Sequence, residues 1–197
     1  MSDKNGELDR RIKRTRQMIR DALISLIKEK GFDSVTVQEI AERADINRST
    51  FYFHYKDKYD LLEQSNADML EEFAEALQLS KGSAHEVCQV WSLQSAIRQF
   101  EHIKDNADYY KVMLQQIGAP GFTQQMKQMI QSAFYSKLEQ LDPSIPKEMI
   151  SIYTASAHFG VIEWWLANDM HYSPAYLADL LNKTIGFGNL RQPLAVE

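Results

Sequence analysis

An all-α fold is predicted for this 197-residue chain by three observations. Apolar residues recur at helical spacings of three, four and seven along most of its length. Residues suited to capping helices, Thr36, Asn47, Asp57 and Ser173, stand just ahead of such runs. No β-alternation, internal repeat or low-complexity tract stands out.

Residues 10–30 read as an amphipathic first helix, with Ile12, Met18, Ile19, Ala22, Leu23, Leu26 and Ile27 on the apolar side and Gly31 as the stop. Thr36-Val-Gln-Glu39 is a capping box, so a short helix carrying Val37, Ile40, Ala41 and Ala44 should begin there. After Asp45 and Ile46, Asn47 can cap a second short helix from Arg48 to about Tyr55. Asp57 caps a longer one to about Leu79, whose Leu62, Met69, Phe73 and Leu77 repeat by sevens and fours. Ser80-Lys-Gly-Ser83 is the best break in the chain, and residues 84–92 carry no clear signal. Further helices are expected near 93–104, 106–117, 122–141, 147–168 and 173–185. Gly118-Ala-Pro-Gly121 and Asp142-Pro-Ser-Ile-Pro146 interrupt them, and Pro174 takes the first position of the last.

Composition is that of an ordinary globular protein, 44% hydrophobic and 25% charged. No run of about 18 apolar residues signals a membrane span, and the polar N-terminus lacks a signal-peptide core. The single cysteine, Cys88, fits a reducing cytoplasm and reads as a small buried residue rather than a nucleophile. The net charge of −5 hides an asymmetry. Residues 1–60 carry 13 Lys/Arg against 11 Asp/Glu, a net +2, whereas 61–197 carry 9 against 16, a net −7. Arg10, Arg11, Lys13, Arg14, Arg16 and Arg20 fall within eleven residues that hold no acid. Such a run is either a solvated helix face or a patch that attracts phosphate.

Two short helices joined by Ala44-Asp45-Ile46-Asn47 make a helix-turn-helix signature, whose second helix must enter the major groove of DNA N-terminus first. The turn calls for a residue that tolerates the left-handed region, and Asp is one of the few besides Gly that does. The run Phe51-Tyr-Phe-His-Tyr55 then sorts by helical angle. Phe51 and Tyr55 should pack inward against Ile40, Ala44 and Ile46. Arg48 with Tyr52, and Ser49 with Phe53, pair on the other side. Arg48 at the leading end is the best base reader, able to fork onto guanine O6 and N7. Ser49 and Thr50 can reach a base edge or phosphate, Tyr52 a thymine methyl, sugar or phosphate, and Phe53 only the apolar groove wall.

Residues 8–70 resemble the DNA-binding domain of TetR/AcrR-type transcriptional regulators. The resemblance is carried by Gly31-Phe32, Thr36, Ile40-Ala41, Ala44, Ile46, Arg48, Thr50, the ring run 51–55, Lys58 and Leu61-Leu62. Asp45 and Ser49 depart from the glycines often found at those positions. The resemblance implies phosphate contacts from Thr36 and Lys58. His54 is either a further phosphate contact or a surface histidine beside Lys58. Arg14 and Arg16 are candidates for phosphate or minor-groove contact, as residues of an arm.

For residues 71–197 the resemblance implies a helical ligand-sensing and dimerising domain. Trp164 and Trp165, with the small residues Ala155 and Gly160, are candidates for the homodimer interface or for the core. Tyr109, Met113, Phe122, Met126, Met129, Phe134, Tyr153, His158 and Trp164 could line an effector pocket or fill an ordinary core. No phosphate loop, nucleophile elbow or dinucleotide fingerprint appears. His85 and Cys88 make two possible ligands, short of a metal site. The expectation is therefore a cytoplasmic homodimer and no enzyme, with no cofactor or metal. It would be a repressor released from a palindromic operator by an unknown small molecule. The alternative is a DNA-binding or co-regulatory protein of the same fold whose output is contact with a protein partner.

Overall fold

The computed structural model describes residues 2–77, 93–117, 120–135 and 146–184. Among them are nine α-helices. The first four are α1 (Ser2–Lys30), α2 (Val37–Arg43), α3 (Arg48–His54) and α4 (Lys58–Leu77). The others are α5 (Leu93–Asp105), α6 (Ala107–Lys111), α7 (Pro120–Tyr135), α8 (Lys147–Ala167) and α9 (Pro174–Thr184). The expected breaks at 80–83 and 142–145, residues 84–92 with His85 and Cys88, and the expected helix ends at 79, 141 and 185 lie outside the described residues. The chain divides into two compact units between Met69 and Leu70, with Lys111–Gly118 joining the first.

In the first unit α1 begins eight residues before the expected start. Its buried stripe is Ile19, Leu23, Ile27 and their neighbours; Met18, placed on the apolar face from sequence, is exposed, and Ile24 is buried instead. Gly31 ends the helix at φ +78°, its N–H bonding the Ile27 carbonyl at 2.9 Å. Arg43 forks onto both oxygens of Glu29, at 2.7 and 2.9 Å, and pins α2 to α1. The capping box of α2 is complete, with Thr36 Oγ1 accepting from the Glu39 N–H and the Glu39 carboxylate accepting from the Thr36 N–H.

The turn after α2 is a Schellman motif. Ile46 N–H reaches the Ala41 carbonyl and Asp45 N–H the Glu42 carbonyl, which requires the left-handed φ of +53° found at Asp45. Asn47 has the extended backbone of an N-cap, but its side chain makes no cap bond; its carbonyl accepts from Thr50 and Phe51. Asp57 does cap α4, its Oδ1 accepting from the N–H groups of Tyr59 and Asp60 at 2.8 Å.

In the second unit α7 packs on α8 and α5 on α9. The helix expected at 106–117 is a five-residue α6 followed by a π-helical turn over Val112–Gln116. That widening has no hydropathy signature. α7 starts at Pro120, two residues earlier than expected, because proline suits the first helical position. Ser173 Oγ caps α9 through the Tyr176 N–H at 3.2 Å. Buried rings, among them Phe73, Phe100, Tyr110, Phe159 and Trp165, fill this core.

Candidate nucleic-acid interface

Successive residues of α3 turn by about 100°, so its side chains form four pairs around the helix. Phe51 and Tyr55 are buried, their rings 5.8 Å apart, together with Ile40 and Ala44, while Ile46 is half-buried. Opposite them stand Ser49 and Phe53, the latter 78% exposed. Arg48 and Tyr52 occupy one flank, and Thr50 and His54, both half-buried, the other. Arg48 Nη2 donates to the Tyr52 hydroxyl at 3.0 Å, and its guanidinium lies 5.4 Å from that ring's centre. The pair is exposed, so the fork is held pre-extended along α3 and loses less freedom on meeting a base. An arginine, two hydroxyl groups and an exposed ring on one solvent-facing surface can read and grip a groove edge.

Around this surface several of the other candidates already have partners within the protein. Arg16 is not an arm residue. It lies inside α1, its Nε donating to the Tyr55 hydroxyl at 3.1 Å, with Nη2 on Gln64 and near Asp68 at 4.0 Å. Gln64 continues to Asp60, whose carboxylate accepts from the Lys56 N–H. Arg16 therefore locks the end of α3 to α4 through Nε and Nη2. Arg14 remains exposed on the same helix.

Lys58 is engaged as well. Its Nζ donates to the carbonyls of Phe32, Asp33 and Val35 at 2.9–3.0 Å and sits 4.8 Å from the Phe32 ring centre. An ammonium has three donors, and these carbonyls take all three. It latches the loop that presents Thr36, in addition to the phosphate contact that the resemblance implies for it. Thr36 is exposed, but its hydroxyl donates to Glu39 at 2.7 Å. Lys30 first, and Thr36 second, hold the Glu39 carboxyl down to about 2. Burial, and then the charge of Arg16, lower the His54 imidazole below its usual value, which favours the neutral ring and weakens it as a phosphate partner. None of the Arg16, Gln64 and Asp60 network was read from sequence, because contacts between α1 and α4 have no local signal.

In the second unit, Tyr109, Phe122, Met126, Phe134 and His158 are buried and Met129 is half-buried. Tyr153, 70% exposed, and Trp164, 49% exposed, stand at the surface. Met113 is buried but belongs to the π-helical turn that clusters with the first unit. The remaining aromatic residues fall into separate pairs, Tyr109 with Phe122 and Phe134 with His158, each with ring centres 6.0 Å apart. Of the four interface candidates, Trp165 and Ala155 are core. The Trp165 indole N–H donates to the Tyr172 carbonyl at 3.0 Å and its ring meets Phe100 edge-on. Trp164 and Gly160 face outward, and a Cβ at Gly160 would meet nothing within 4 Å.

Gln99 was missed. It is fully buried on α5 and its Oε1 lies 2.9 Å from His158 Nε2 on α8. The signal was present, a glutamine in apolar register with Ala96, Phe100 and Ile103. Among the described residues no group of three or more His, Cys, Asp or Glu is placed to hold a metal, and no helix is long and apolar enough to cross a membrane.

Residues 19–64 match the family described as bacterial regulatory proteins, tetR family, and residues 92–186 match the one described as transcriptional regulator C-terminal region. The chain is 23% identical over 156 residues to the HTH-type transcriptional regulator YxbF of Bacillus subtilis, covering 79% of this chain but only 40% of YxbF. It is 23% identical over 137 residues to IcaR of Staphylococcus aureus, the HTH-type negative transcriptional regulator of the biofilm operon icaADBC, covering 69% of this chain and 68% of IcaR. Among solved structures, a TetR-like transcriptional regulator from Rhodococcus sp. RHA1 superposes with a TM-score of 0.70 at 19% identity, covering 90% of this chain and 97% of that one.

Proposed function

This chain belongs to the tetR family of bacterial regulatory proteins, and from that premise we propose that it is a cytoplasmic repressor that grips a palindromic operator as a homodimer and releases it when a small molecule binds its C-terminal unit. Membership makes it a DNA-binding transcriptional regulator and not an enzyme. The observation that carries the reading is the sorting of α3. Phe51 and Tyr55 are buried, while Arg48, Ser49, Tyr52 and Phe53 are left to solvent. Arg48 is the base reader, with Ser49, Thr50, Tyr52 and Phe53 beside it, and Arg14 and Thr36 flank them as backbone contacts.

Pairing is supported by an apolar stripe on the second unit. Met149, Ile152, Tyr153 and Trp164 on α8, with Tyr176 and Leu180 on α9, are all exposed. Trp164, Tyr172 and Tyr176 stack in a row, with centres 6.0 and 4.9 Å apart. An apolar stripe of this length is costly in water and suits a self-complementary, two-fold contact. The negative direction of control is supported by the likeness to IcaR. Release by an effector requires only that it favour the arrangement that cannot hold DNA.

Selection of bound fragments from the source genome tests the reading. The expected outcome is one enriched inverted repeat, with half-sites about one helical turn (34–36 Å) apart or a multiple of it. Enrichment without symmetry would remove the dimeric repressor.

A further inference from the structure

Among the described residues of the second unit's core, the buried amide of Gln99 is left incomplete by the packing. Gln99 is completely buried and its Oε1 faces His158 Nε2 at 2.9 Å. Its amide nitrogen is buried as well and has no hydrogen-bond partner among the described residues. A buried donor left unmet is rare in folded proteins and points to a water, an ion or a ligand that completes it. Flat apolar walls stand next to it, with the rings of Phe100 and Phe134 centred 5.5 and 6.0 Å from the His158 ring.

We propose that Gln99, oriented by His158, is the polar anchor of the effector site, and that the site takes a neutral, largely apolar molecule bearing a carbonyl-type hydrogen-bond acceptor. The inference rests on the reading of the C-terminal unit as effector-sensing. The amide N–H groups donate to the acceptor, and the rings cover the apolar remainder. Charge separates the candidate classes. Burial drives the His158 imidazole down to about 3, so the pair stands where ions are strongly disfavoured.

The test uses the full chain and four ring compounds of similar size: benzamide, acetophenone, benzoate and toluene. Benzamide and acetophenone should raise the melting temperature, on the order of 5–10 °C at a concentration about a hundredfold above Kd. Benzoate and toluene should not. Gln99→Leu takes the partner from His158 Nε2, so it should melt somewhat below the parent without probe, and it should lose the response; Gln99→Met, unbranched and close in volume, should lose it as well. No shift with any probe overturns the assignment, as does a toluene shift equal to that of benzamide or a benzamide shift that survives in the variant. Operator release separates the two readings. Binding that depends on Gln99 but leaves DNA bound keeps the site and ends effector control. Release by benzamide that persists in Gln99→Leu keeps effector control and ends the site.

Discussion

Arg48 and Lys58 are both cations at the proposed interface, yet their surroundings give them different work. Arg48 is exposed and extended along Tyr52, so Arg48→Ala should cost about 1–3 kcal/mol of discrimination between operator and other sequence. The ratio of operator to random-DNA affinity measures it, with random-DNA affinity nearly unchanged. Lys58 is half-buried on three carbonyls, so Lys58→Ala should destabilise the first unit by about 1–3 kcal/mol in a urea titration. The salt dependence of DNA binding should keep its slope. A slope shallower by about 0.9 would instead mean that Lys58 neutralises a phosphate. From sequence Arg48 reads as the base reader and, by resemblance, Lys58 as a phosphate contact, because sequence displays charge and not the carbonyls that a fold brings to it.

At the scale of the element, what was legible was local. The capping box, the Gly31 stop, the left-handed Asp45 and the Asp57 and Ser173 caps each depend on residues within a few positions, and each is present. The π-helical turn, the silent Asn47 side chain and the Arg16 lock depend on what is packed against them, and spacing could not disclose them. The capping box also makes a prediction about acid. Glu39 is held at about 2, below the 4.5 it would have unfolded, so the unfolded chain binds the proton more readily. The stability that Glu39 contributes is thus fully present above 4.5 and lost as pH falls toward 2. Glu39→Gln should lower the melting temperature near neutral pH and flatten its fall across that acid window, as followed by circular dichroism.

At the scale of the whole molecule, Trp164 and Trp165 are neighbours with opposite fates. Two adjacent positions on a helix point about 100° apart, so one tryptophan lies on the outer stripe and the other is sealed in the core. Trp164→Ala should raise the monomer fraction in sedimentation at low concentration while leaving the fold intact. Trp165→Ala should cost about 3–5 kcal/mol of stability. A monomer fraction unchanged by Trp164→Ala would place the homodimer contact elsewhere. Sequence spacing places both tryptophans on one long apolar helix, but does not tell which side of it meets another surface. The pocket candidates divide in the same way, since exposed Tyr153 and Trp164 share their residue types with buried Tyr109 and Trp165.

The division of α3 carries a consequence for how such a protein changes over generations. Its anchors, Phe51 and Tyr55, and its outward positions, Ser49 and Phe53 with Arg48 and Tyr52 on the flank, do not share a face. Apart from the edge contact of the Tyr52 ring on Phe51, substitutions at the outward positions leave the buried packing in place, so duplicated copies can drift toward new binding sites without passing through unfolded ancestors. A library randomised at those four positions should consist mostly of folded proteins, each with its own taste in DNA.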